Sequence, residues 1–306
     1  MGAIKIIKAV LLTNPSSGKK SGEAYALYAQ EKFQEAGWQC EIRLTQKESD
    51  IADFTRYASE TEADRLIIIG GDGTVSKVLN TLNQMANLPV IGIIPTGTVN
   101  NVAKGMGLQL PVENVVDQLI QSKIKACDVG EVNGRLFLSS LSSGTVPATV
   151  WTVSDEMKEK YGSLAYFMEG LRALKDEEPY TVRVDLDGQS FTRQVSLMLI
   201  GVSHSISGIP HFFEKAHMDD GRLYMLLIDQ TSIREKLHIL SDLLRDDIGV
   251  QSSHAVIKSF EQAHIVIENK PMYAAMDGEK GPAFPLEVNV RPGFVRALIP
   301  VKREES

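Results

Sequence analysis

An α/β N-terminal domain built on a parallel sheet, followed by a β-rich two-layer sandwich as C-terminal domain, is the fold class that this 306-residue sequence predicts. Three observations predict it. Strand and helix signals alternate through residues 5–130, which is the pattern of βαβ units. After Asp128 the alternation stops, and Asn133-Gly134 and Asp187-Gly188 punctuate strand-like runs as hairpin turns. Several early strands end in loops rich in Gly, Ser, Thr and Asn, where α/β sheets bind ligands. The expected domains are 1–130 and 131–306, with the last strand able to return to the first domain. The length suits two domains.

Each element has its own signal. The apolar run Ile6-Ile7-Lys8-Ala9-Val10-Leu11-Leu12 predicts a strand over 5–12. Ser21 can cap a helix over 21–36, and Gly37 ends it. A strand near 39–45 and a helix near 49–61 follow. Leu66-Ile67-Ile68-Ile69 marks a buried strand at 65–70, then a helix over 74–86. Val90-Ile91-Gly92-Ile93-Ile94 marks a strand at 89–94. A helix at 112–121 and a strand at 124–129 complete the domain. In the second domain Asn133-Gly134 lies between Glu131-Val132 and Leu136-Phe137-Leu138, and Asp187-Gly188 lies before Phe191-Thr192. Strand-like runs cover 194–202, 222–228, 254–260, 263–268, 286–290 and 295–300. Antiparallel pairing among them predicts the sandwich. Helical stretches at 154–175 and 231–246 interrupt it.

The chemistry concentrates in the loops. Gly70-Gly71-Asp72-Gly73-Thr74 follows one buried strand and opens a helix. Glycines let backbone approach a ligand, and successive N–H groups in such a turn attract phosphate. A carboxylate among phosphate donors points to a cation, most simply Mg²⁺ on a nucleotide. The competing reading of this stretch alone is a tight strand-to-helix turn with a capping Asp. Pro95-Thr96-Gly97-Thr98-Val99-Asn100-Asn101 follows the next strand, and Asn14-Pro15-Ser16-Ser17-Gly18 follows the first.

Composition removes some classes. With 43% hydrophobic and 23% charged residues the chain is an ordinary globular protein, and a net charge of −7 argues against a nucleic-acid partner. Cys40 and Cys127 lie in apolar runs without zinc spacing, as buried thiols in a reducing compartment would. No apolar run approaches the ~20 residues of a membrane span, and the N-terminus does not read as a signal peptide.

The motifs NPSSG, GGDGT and PTGTVNN, in this order and spacing, resemble the diacylglycerol kinase catalytic-domain family, in particular its soluble bacterial lipid kinases. Sphingosine and ceramide kinases are more distant relatives. The resemblance runs the length of the chain. Tyr161-Gly162-Ser163-Leu164-Ala165-Tyr166 resembles the family's G-x-x-A-Y segment, Asp220-Gly221-Arg222-Leu223 its D-G-x-(L/F) segment, and Asp277-Gly278-Glu279 its D-G-E motif.

That resemblance implies an ATP-dependent kinase that phosphorylates the free hydroxyl of diacylglycerol or a related membrane lipid. Its nucleotide site would use Asn14, Ser16, Ser17, Gly18, Thr45, Gly70, Gly71, Gly73, Thr74 and Thr98. Asp72 would organise Mg²⁺ with two further acids. One of these matches Asp128; the other falls on Asn101, a departure that removes one negative charge. Asp277 and Glu279, two apart in an extended stretch, would share one side, with Glu279 as general base. A second, structural Mg²⁺ would bind the Asp220 side chain and the carbonyls of His217 and Arg222. The segment 137–147 keeps Gly144 but lacks the acid the family often shows there. The resemblance further implies a cytoplasmic protein working at the inner face of the membrane through peripheral contact. A homodimer is left open.

Two other readings compete. NAD kinases also carry GGDGT, but their next loop reads N-x-G-x-x-G-F, unlike Pro95-Thr96-Gly97-Thr98-Val99-Asn100. A catalytically impaired lipid- or nucleotide-binding regulator would explain Asn101, against which stand Asp72, Asp277 and Glu279.

Overall fold

A computed structural model describes residues 6–15, 21–97, 100–108, 110–143, 179–203, 213, 216–243, 252–277 and 279–301. The chain divides into two compact units, 1–127 with 293–306, and 128–292.

Unit 1 is an α/β layer structure. Strands β1 (Ile7–Thr13), β2 (Trp38–Leu44), β3 (Arg65–Gly70) and β4 (Val90–Pro95) alternate with helices α1 (Gly22–Glu35), α2 (Ser49–Glu60) and α3 (Asp72–Leu82). The short α4 (Asn101–Gly105) and α5 (Val112–Ile120) follow. The strands pair in parallel in the order β2-β1-β3-β4. A parallel sheet covered on both faces needs uninterrupted apolar strands. That is why Leu66, Ile67, Ile68 and Ile69 are all fully buried. Helices α1 and α5 pack together, as do α2 and α3. Helix α4 carries no apolar periodicity of its own and was not expected. Ser21 stands at the N-cap of α1, yet its side chain makes no capping bond, so the expected cap is absent. Gly37 does take the left-handed conformation past the helix end, at φ +83°. Cys40 is half-buried rather than buried, and desolvation pushes its thiol up to about 11.

Unit 2 is antiparallel. Strand β5 (Lys123–Val132) enters it and pairs with β6 (Arg135–Phe137). The strands that follow are β7 (Ser140–Ser143), β8 (Tyr180–Leu186), β9 (Gln189–Gly201), β10 (Leu223–Asp229), β11 (Ala255–Phe260) and β12 (Gln262–Ile267). After them come β13 (Tyr273–Met276), β14 (Glu279–Ala283) and β15 (Leu286–Ile299), while helix α6 (Ile233–Leu243) lies between β10 and β11. Both Asn-Gly and Asp-Gly pairs form two-residue hairpin turns, with Asn133 at φ +47° and Asp187 at φ +51°. Strand β9 changes partners midway. Its first half pairs with β8, and its second half lies between β7 and β10. One strand thus serves both layers of a sandwich. On β8, alternate residues Tyr180, Val182, Val184 and Leu186 face the core, as a period of two requires.

The runs 286–290 and 295–300, expected as two strands, are one continuous strand. Its Ala297 pairs in parallel with Ile91 of β4 inside unit 1. The helical signal at 154–175 lies outside the described residues.

Candidate active site

The carboxyl ends of the unit 1 strands meet at one edge, because the parallel register sets Thr13 beside both Leu44 and Ile69, and Gly70 beside Pro95. Strand order reverses direction between β1 and β3, the switch point at which open α/β sheets leave a crevice. Thr45, just past β2, is buried, and its N–H donates to the Thr13 carbonyl at 2.9 Å. Asn14 is exposed at the end of β1. Ser16, Ser17, Gly18 and Thr98 lie outside the described residues.

Two loops are fused into one cradle. A Cβ on Gly97 would stand 2.7 Å from the Gly71 Cα, and one on Gly71 would stand 3.1 Å from the Gly97 Cα. Only two glycines let the backbones touch there. Gly70 is covered by Thr74, whose Cβ would lie 2.9 Å from any added methyl. The Thr96 N–H donates to the Gly70 carbonyl at 3.1 Å, and Thr74 N–H to the Gly71 carbonyl at 3.0 Å. Gly73 lies in the first turn of α3, which leaves that position of the cradle without a side chain too.

Asp72 fastens the cradle. Its Oδ2 accepts the Asn101 N–H at 3.0 Å and its Oδ1 the Val102 N–H at 3.1 Å. Hydrogen bonds to a charged group contribute about 1.5–3 kcal/mol each, so this carboxylate is a structural tie across 29 residues as well as a charge. Asn100 acts beside it. It sits in the left-handed region at φ +54°, buried, and its amide closes a ring on Gly97. Its Oδ1 accepts the Gly97 N–H at 2.9 Å and its Nδ2 donates to the Gly97 carbonyl at 2.8 Å. Sequence reasoning missed Gly97 and Asn100. The available signal was the Asn itself, a residue that tolerates left-handed backbone.

Asn101 presents a different feature. Its Oδ1 is buried and has no hydrogen-bond partner. Lys104, one helical turn further, has an exposed side chain overall. Even so, surrounding protein lowers its ammonium pKa, opposed by the charge of Asp72. The cradle therefore holds one carboxylate, one unpartnered amide oxygen and one nearby cation. Among the described residues no group of three or more His, Cys, Asp or Glu gathers as a metal cage. Mg²⁺ on a nucleotide does not need one, because it keeps waters and phosphate oxygens as ligands. The donors present fit such an ion.

Asp128 opens unit 2, so it belongs to a different unit from Asp72 and Asn101. It is buried, its N–H donates to the Met218 carbonyl at 2.6 Å, and its Oδ2 accepts the Gly221 N–H at 2.7 Å. It thus anchors the 217–222 turn. Asp220 closes that turn from within. Its Oδ2 accepts the His217 N–H and the Tyr224 hydroxyl, and its Oδ1 the Arg222 N–H, all at 2.9 Å. Burial and the Asp220 bond push Tyr224 up to about 12. Three donors fill most of a carboxylate's roughly four acceptor positions. The expected structural-ion donors at His217, Asp220 and Arg222 are together, but the turn is also closed by protein hydrogen bonds alone.

Asp277 and Glu279 do not lie in an extended stretch. Met276 of β13 pairs with Glu279 of β14, and Asp277 just past β13 turns in the left-handed region, at φ +50°. The period-two argument fails at a turn, and the two carboxylates have different surroundings. Asp277 is 9% exposed and accepts three backbone N–H groups, from Leu138, Ser139 and Ser140. Glu279 is exposed at the head of β14.

Known proteins resemble this chain in sequence and fold. Residues 8–132 match the diacylglycerol kinase catalytic domain, and residues 139–299 match the YegS C-terminal NAD kinase beta sandwich-like domain. The chain is 26% identical to a diacylglycerol kinase of Bacillus subtilis (strain 168) over 98% of both. It is 28% identical to one of Staphylococcus carnosus (strain TM300) over 91% of this chain and 90% of that protein. A crystal structure of a diacylglycerol kinase from Bacillus anthracis str. Sterne has the same fold, with a TM-score of 0.81 at 22% identity over 97% of this chain and 98% of that one. With both domain types matched in order along nearly its whole length, this chain belongs to the diacylglycerol kinase catalytic-domain family and is a lipid kinase.

Proposed function

We propose that the protein transfers the γ-phosphoryl group of ATP to the free hydroxyl of diacylglycerol, giving phosphatidic acid. The observation that carries this reading is the fused glycine cradle, with Gly71 against Gly97 and Asp72 holding the Asn101 and Val102 amides. Phosphoryl transfer asks a protein for positioning and for neutralisation of charge, and little else. Bare backbone at Gly70, Gly71, Gly73 and Gly97 lets phosphate oxygens reach N–H groups. Asp72 and the Asn101 Oδ1 would hold the water shell of Mg²⁺, which when bound neutralises charge on the phosphates. Lys104 adds a positive charge within reach of Asp72. Asn14 and Thr45, at the ends of β1 and β2, would border the nucleotide, with Ser16, Ser17, Gly18 and Thr98 assigned to the same site by sequence. Asp128 would act through the 217–222 turn that it anchors.

On the acceptor side Glu279 would take the proton of the lipid hydroxyl, since it is the accessible carboxylate of the hairpin. The names of the relatives support diacylglycerol as the acceptor. Among the described residues no helix is long and apolar enough to cross a membrane, so contact with the lipid would be peripheral. Radiolabelled ATP incubated with the protein and extracted cell lipids tests the proposal. Labelled phosphatidic acid is expected; label in a different lipid, or in none, would overturn the assignment of the acceptor.

A further inference from the structure

Asp277 is tied down more firmly than a proton-exchanging carboxylate needs to be. Its Oδ1 accepts the N–H of Ser139 at 2.8 Å and of Ser140 at 3.0 Å, and its Oδ2 accepts that of Leu138 at 3.0 Å. The Asp277 N–H donates in turn to the Ser140 carbonyl at 2.8 Å. One turn residue is therefore stapled to three consecutive residues at the corner between β6 and β7. The donors are backbone amides, which cannot give up their protons or turn away. The negative charge strengthens all three bonds, and protonation would remove it.

Glu279 has none of these ties. It faces Met276 across the hairpin. Lys280 on its own strand reaches over the Tyr273 ring, 4.1 Å from its centroid. On the facing strand β13, Tyr273 is the one titratable side chain, and β7 beyond it carries only serine and leucine.

We infer that Asp277 is a positioning residue: its carboxylate fixes the β13–β14 turn on the β6–β7 corner, and Glu279 alone exchanges the proton. This rests on the kinase reading above, in which Glu279 is the base. In the step itself, the acceptor hydroxyl gives its proton to the Glu279 carboxylate. Its oxygen forms a bond to the γ-phosphorus as the bond to the β,γ-bridging oxygen breaks, and ADP leaves. Asp277 neither gains nor loses a proton. It keeps Glu279 where the hydroxyl can reach it.

The experiment is lipid phosphorylation by the full chain across a pH series, with Asp277→Asn, Glu279→Gln and the double variant. A misplaced catalytic group costs roughly 10²-fold, so Asp277→Asn should lower kcat by about that factor. Its acidic limb should stay where the wild type has it, and KM for ATP should not change. Glu279→Gln should lower kcat by roughly 10²–10⁴ and lose the limb. The double variant should be no slower than Glu279→Gln alone, because Asp277 acts through Glu279. A shifted or missing limb in Asp277→Asn, full activity in that variant, or additive losses in the double would each overturn the positioning role. Undiminished activity of Glu279→Gln would instead sink the base assignment on which the inference rests. If Asp277→Asn does not fold, Ser139→Pro deletes one N–H donor and leaves both carboxylates ionisable. The positioning role then expects a lower kcat with the limb unmoved, and full activity refutes it.

Discussion

At Asp72 a single carboxylate combines a structural tie with a charge, and substitution separates the two. Asparagine keeps one oxygen to accept an N–H and loses the charge. Asp72→Asn should leave a folded protein by circular dichroism and abolish phosphoryl transfer. Near-normal turnover at saturating Mg·ATP would remove Asp72 from the catalytic role. Asn101 poses the complementary question. Its buried Oδ1 has no donor to meet a negative charge, so Asn101→Asp sets a carboxylate beside Asp72 with only Lys104 and a bound cation to offset it. A divalent ion held more firmly is the expected consequence. The apparent Mg²⁺ requirement should tighten, with activity equal or higher and a melting temperature reduced in EDTA. A large loss of activity at saturating Mg²⁺ would mean that the site is built around the amide.

At the scale of elements, loops are joined to one another by groups the helices and strands do not use. The β3–α3 and β4–α4 loops touch at two glycines, so Gly97→Ala should force them apart. Overpacking of this kind costs about 1–3 kcal/mol. The variant should melt lower and bind ATP more weakly, as isothermal titration would read. Unchanged affinity would mean that the contact does not shape the nucleotide site. The 217–222 turn offers a second case. Asp220→Ala removes three acceptor contacts and should lower the melting temperature even in EDTA. If an ion also binds there, Mg²⁺ should raise the melting temperature of the wild type and not of the variant, since a native-state ligand stabilises by mass action. Equal Mg²⁺ shifts in both would exclude a structural ion at that turn.

For the whole molecule the question is how a chain of net charge −7 reaches an apolar acceptor. Among the described residues no helix is long and apolar enough to cross a bilayer. On the proposed reading, activity should depend on how the lipid is presented. Activity should be higher on mixed micelles or vesicles that bear diacylglycerol than on any water-soluble alcohol. Co-sedimentation with anionic vesicles should weaken with salt if basic side chains take part in the contact. A water-soluble sugar or dinucleotide phosphorylated faster than every lipid tried would overturn the acceptor assignment.

By itself the sequence determined the two-domain fold class, the alternating elements of the first unit, the two hairpin turns and the kinase family. Those features depend on short-range patterns: apolar runs of strand length, turn residues with left-handed preference, and motifs carried on contiguous residues. Tertiary structure decided what lies between distant residues. No local signal joins Asp72 to the amides of Asn101 and Val102, or Asp128 to Gly221. The same holds for Gly97, whose need for a missing side chain comes from Gly71 on another loop. Residues 291–293 look like a break between strands, yet pairing on β12 and on β4 carries one strand from Leu286 to Ile299. The Asp-Gly-Glu motif shows the limit most directly. Its alternation promised two carboxylates on one side, but three amides from the 138–140 corner bury the first in a turn and leave the second in the open. A backbone amide's direction is set by the fold around it, and no residue identity encodes it.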